Sequence, residues 1–77
     1  MTYIETIQKF QELQLSLLKE GSELSLSIDT SSNHVTVWLE KGFVPIFSVQ
    51  IYKDEWLIEY MNAVDRMTSA VKVHNTK

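Results

Sequence analysis

Apolar residues near the start of the chain fall three and four positions apart, at Ile4, Ile7, Phe10, Leu13 and Leu17. That spacing puts them on one stripe of a helix, and it predicts a helix over residues 3–20. Thr2 and Glu5 have the capping-box spacing, in which the hydroxyl accepts from the third helical N–H and the carboxylate reaches back to the cap. Gly21 follows the last periodic residue, where a left-handed backbone ends a helix, and Lys19 complements the negative end of the dipole. Leu15 and Leu18 lie off the stripe, so the apolar face is wide and is expected to contact more than a flat sheet.

The period then changes to two. Leu24, Leu26 and Ile28 alternate with Glu23, Ser25, Ser27 and Asp29, which predicts a half-buried strand over 23–29. Thr30-Ser31-Ser32-Asn33 is a polar turn. Val35, Val37 and Leu39 alternate with His34, Thr36, Trp38 and Glu40 in a second strand, 34–40, and Lys41-Gly42 turns the chain. A third strand, 45–52, sets Phe47, Val49 and Ile51 against Ile46, Ser48, Gln50 and Tyr52. Pro45 cannot donate to a ladder, which suits a strand's start or a sheet edge. The short connections make an antiparallel meander.

Asp54 and Glu55 load the start of a second helix, 54–72, with negative charge. Its apolar stripe is Leu57, Tyr60, Met61, Val64, Met67 and Val71, flanked by Trp56, Ala63 and Ala70, with Ile58 alone on the polar side. The tail 73–77 has no periodic support and is expected to fray.

The fold class that follows is α+β, a single small α-β-β-β-α domain spanning 1–77, with both helices covering one face of a three-stranded antiparallel sheet. This order and size resemble the double-stranded RNA-binding domain. In that family a lysine cluster opens the second helix, and a Gly-Pro-x-His loop joins the first two strands. Here those positions read Lys53-Asp54-Glu55-Trp56 and Thr30-Ser31-Ser32-Asn33-His34. Carboxylates in place of phosphate-facing lysines repel RNA, so the layout transfers and the binding does not. The layout, size and acidic sign also resemble small phage-encoded inhibitors of bacterial defence, particularly the type II-A anti-CRISPR proteins, which implies a non-enzymatic inhibitor of a protein target.

Composition narrows the chemistry. The 77 residues carry a formal charge of −3, and no two of the seven basic residues are adjacent, so no patch for phosphates is built into the sequence. The absence of cysteine excludes disulfides, thiolate metal sites and a cysteine nucleophile, and it favours a cytoplasmic setting. No run approaches the roughly 18 apolar residues of a membrane span. Two glycines cannot build a phosphate loop, and His34 and His74 are the only histidines, at a strand start and in the tail, where a catalytic triad would lack fixed partners. The reading is of a protein that is not an enzyme, with no cofactor or metal.

The working surface expected from the sequence is the sheet face away from the helices. Trp38, Ile46 and Tyr52 stand there among Thr36, Gln50 and small serines. Aromatics ringed by small polar residues suit a partner-binding hot spot, while cross-strand aromatic pairing would explain them with no partner at all. Three functions follow in order: a protein-interaction module acting as an inhibitor or accessory factor, a homodimeric assembly protein using the same face, and a weak single-stranded nucleic-acid binder.

Overall fold

In a computed structural model, which describes residues 2–55 and 57–75, the chain forms α1 (Tyr3–Glu20), β1 (Leu24–Thr30), β2 (His34–Lys41), β3 (Val44–Tyr52) and α2 (Leu57–Asn75). The strands make one antiparallel sheet in the order β1-β2-β3, so β2 is central and the other two are edges. The expected α+β meander covered by two helices is what the chain adopts.

Local signals explain the first helix. Thr2 accepts from the Glu5 N–H at 3.1 Å while Glu5 accepts from the Thr2 N–H at 3.0 Å, the complete capping box. Gly21 ends the helix at φ 65, a conformation that costs little without a Cβ. The buried stripe is rotated from the one the apolar spacing suggested. Tyr3, Thr6, Phe10 and Leu17 are buried, Ile7 and Leu13 pack at the margin, and Ile4 stays 62% exposed. Thr6 can be fully buried because its hydroxyl donates to the Thr2 carbonyl at 2.7 Å. Leu15 and Leu18 are also largely exposed, so the wide apolar face meets no extra layer within the chain.

Leu24, Leu26, Val35, Val37, Leu39, Val49 and Ile51 form the sheet side of the core, with Ile28 and Phe47 packed at its rim. Tyr60, Ala63, Met67 and Val71 complete it from α2, leaving Leu57 and Met61 about half exposed. Helix α2 therefore also turns its most buried line toward the smaller residue Ala63.

The strand limits shift by one residue, with β1 at 24–30 rather than 23–29, β2 running on to Lys41 and β3 starting at Val44, and both ends of α2 differ by more. Asp54 and Glu55 lie in a turn before α2, closed by the Glu55 N–H donating to the Tyr52 carbonyl at 3.1 Å. At the other end Val73, His74 and Asn75 are helical rather than frayed. Asn75 is tied down there: its Oδ1 accepts from Ser22 Oγ at 3.0 Å, and its amide donates to Glu20. Trp56, expected beside the stripe of α2, lies outside the described residues.

Candidate functional site

The helix-free sheet face is laid out in rows across the strands. Asp29, Thr36 and Gln50 form one row, Ser27, Trp38 and Ser48 the next, and the third places Glu40 between Ser25 and Pro45. Thr36 and Trp38 are half-buried on the central strand, and Gln50 is exposed beside them. Ser27 Oγ donates to a Glu40 carboxylate oxygen, which holds that acid flat on the face next to Trp38.

Tyr52 is 48% exposed but belongs to a different part of the face. It pairs with His34, ring centroids 6.0 Å apart, while Trp38 pairs with Ser48 two rows away. Rows on one face repeat every two residues, so the two aromatics stand roughly 14 Å apart along the strands. They do not form one cluster.

Ile46 corrects the expected surface. A bulge shifts the β2–β3 register between Leu39 and Glu40, so that Phe47 faces Leu39 and Pro45 faces Glu40. Ile46 is the extra residue, and it packs against the hydrophobic core. Strict alternation fails where one strand carries an additional residue.

The hairpin joining β2 to β3 carries a residue that alternation did not single out. Lys41 pairs with Val44, leaving Gly42 and Phe43 as a two-residue loop with φ of 58 and 70. Such loops need left-handed backbone at both positions and normally hold glycine or asparagine. Phe43 is bulky, strained and 95% exposed, and Val44 beside it is 60% exposed. The signal lay in the dipeptide itself, since the chain places phenylalanine where a tight hairpin wants glycine.

Polar chemistry is sparse and local. Ser31 Oγ lies 2.9 Å from His34 Nδ1, the spacing of a nucleophile and base, but the same oxygen accepts the His34 N–H at 3.2 Å. Nδ1 in turn lies 3.0 Å from Asn33 Oδ1. Ser31 and Asn33 lie in the exposed β1–β2 turn and His34 opens β2 beside it, so these contacts close the turn on itself. A cleft of about 720 Å³ opens near the helix starts, with Tyr3, Ile7, Ser31, Lys53 and Tyr60 among its walls. Its two phenols already donate, Tyr3 to the Ser31 carbonyl at 3.3 Å and Tyr60 to the Lys53 carbonyl. Burial, and then the neighbouring Tyr60, push the Tyr3 phenol above its ordinary range. Burial, and then the Glu55 and Asp54 carboxylates, do the same to Tyr60. Neutral phenols with occupied donors make a wall of the cleft rather than an acid or base.

Among the described residues no three His, Asp or Glu side chains converge as a metal site requires, and no helix is long and apolar enough to cross a membrane. No protein-family model, curated protein or solved structure matches the chain.

Proposed function

We propose that this chain is a small non-enzymatic protein-interaction module that works by occupying a partner's surface, as an inhibitor or accessory factor does. Its working surface is the helix-free sheet face around Thr36, Trp38 and Gln50, extended by the β2–β3 hairpin tip. The observation that carries this reading is Phe43, held 95% exposed at φ 70. A left-handed phenylalanine costs about 1–2 kcal/mol of backbone strain and gains no burial within the fold. Anchor residues of protein interfaces are typically aromatic side chains that become buried only in the complex. The half-buried Trp38 on β2, which leads into the same hairpin, supplies a second aromatic of that kind.

Site-specific photo-cross-linking in the producing cell tests this. A cross-linker at position 43 or 38 should yield a discrete protein adduct, and one at Glu12 on the polar side of α1 should not. In the purified adduct pair, Phe43→Ser and Trp38→Ala should each weaken binding by more than ~1 kcal/mol. Adducts at Glu12 alone, or binding indifferent to both substitutions, would overturn the reading.

A further inference from the structure

We propose that the free edge of β1 is a self-association surface, on which a second copy of this chain adds its own β1 antiparallel to make one continuous six-stranded sheet.

The two sheet edges are built differently. Edge strands left unpaired invite another strand unless proline, lysine or a bulge blocks them. Strand β3 has such blocks: Pro45 lacks an N–H, the bulge at Ile46 breaks its register, and Arg66 lies over the Phe47 ring at 5.8 Å. Strand β1 has none. Its seven residues, Leu24 to Thr30, pair with β2 without a register break and include no proline or base and one acid, Asp29.

Two hydrogen bonds show which groups face outward. Gln14 Nε2 donates to the Leu26 carbonyl at 2.8 Å, and the Leu24 N–H donates to Ser22 Oγ at 3.0 Å. In an antiparallel ladder the N–H and C=O of one residue point the same way and alternate residues point oppositely. Leu24, Leu26 and Ile28 therefore turn their backbone groups to the open side, where Ser22 already occupies the Leu24 N–H and the ladder to a second strand rests on Leu26 and Ile28. A carbonyl accepts two hydrogen bonds, so Gln14 can keep its contact when a strand N–H arrives at Leu26.

Helix α1 overhangs this edge with an apolar flank. At 3.6 residues per turn, Gln14, Leu18, Gln11, Ile4 and Leu15 fall within about 100° of the helix surface. Gln14 fixes that flank on the β1 side, and Ile4, Leu15 and Leu18 on it are 62%, 53% and 67% exposed. A second copy would bring the same three residues to face them.

The strand is also complementary to itself. About a two-fold axis at Ser27, Leu26 meets Ile28 of the second copy, Ser25 meets Asp29, and Glu23 meets Ser31, so no like charges oppose. Moving the axis to Leu26 sets Glu23 against Asp29, which like-charge repulsion disfavours. The occupant that fits is thus this chain, in the register centred on Ser27. The surface is separate from the hairpin and face assigned above, and either assignment can fail without the other.

Light scattering from about 10 μM to about 1 mM should show the mass rising from 9.0 kDa toward twice that value. Ser27→Lys keeps the fold, because Ser27 is exposed and its side chain already reaches the Glu40 carboxylate, but it sets two lysines against each other on the axis. It should weaken association about fivefold, and Ser25→Lys, which meets Asp29 twice, should tighten it by a similar factor. Amide exchange gives a second readout, since Leu26 and Ile28 N–H should become protected as concentration rises. A monomer at every concentration, a dimer indifferent to Ser27→Lys, or protection gained at β3 instead would overturn the proposal. So would an edge that takes an unrelated extended peptide while the chain itself stays monomeric.

Discussion

The rings of Tyr3 and Tyr60 lie 6.3 Å apart with their planes tilted by 52°, joining the first turns of two helices that are separated in sequence by the whole sheet. At the far ends of the same helices Asn75 meets Glu20 and Ser22. Start meets start and end meets end, so α1 and α2 run in the same direction across the sheet. The two ends of the molecule therefore differ. One holds both helix starts and the β1–β2 turn, and the other holds both helix ends and the β2–β3 hairpin with Phe43.

Relieving the strain at the hairpin should stabilise the fold. Phe43→Gly removes a left-handed cost of about 1–2 kcal/mol and adds roughly 0.5–1 kcal/mol of unfolded-chain entropy, so a net gain of up to about 1.5 kcal/mol is expected in urea denaturation. A loss of stability would mean that the Phe43 side chain is held by contacts in the free protein.

Val37→Asp should abolish folding. Val37 is fully buried in the central strand, and an unpaired carboxylate there costs several kcal/mol against a total of roughly 4–12 kcal/mol for a chain of this size. A cooperative thermal transition near the wild-type midpoint would contradict the register.

Ser22→Ala should cost about 1 kcal/mol, because one hydroxyl both accepts from the Leu24 N–H and donates to Asn75. Hydrogen exchange in the last turn of α2 should accelerate with it. Unchanged exchange there would show that the helix end holds without this tie.

Alkali should weaken the fold through Tyr3 and Tyr60. Both phenols ionise above their ordinary value of 10.0 when folded, so the unfolded chain loses its protons first. Stability should be full below pH 10 and fall as pH rises through the folded values, and the Tyr3→Phe, Tyr60→Phe double variant should flatten that fall in denaturation curves taken at successive pH. Acid acts through Glu5, whose carboxylate is held below its ordinary range chiefly by the Thr2 backbone N–H. That contribution is present above the unfolded value of about 4.5 and is lost as pH falls through the folded one. Thr2→Ala keeps that backbone N–H and loses only the hydroxyl, so it should reduce this contribution without abolishing it and cost about 1 kcal/mol of cap stability.

Element order, the caps of α1 and the inward set Leu24, Leu26, Val35, Val37, Leu39, Val49 and Ile51 were legible in the chain, because each rests on interactions only a few residues long. A capping box closes within one turn, and strand alternation needs only the pleat. Trp38, Thr36 and Gln50 were placed on the right face for the same reason. What spacing alone did not decide was every choice made between elements. The bulge that turns Ile46 onto the core depends on how β3 meets β2, and the length of α2 depends on Asn75 reaching Ser22. The buried line of α1 runs through Tyr3 and Thr6 rather than Ile4, because Tyr3 packs on Tyr60 and Thr6 satisfies its own hydroxyl. Hydrophobicity alone ranks isoleucine above threonine for burial. Tertiary packing reverses that order where the polar group finds its partner and the apolar one is left over the open edge of the sheet.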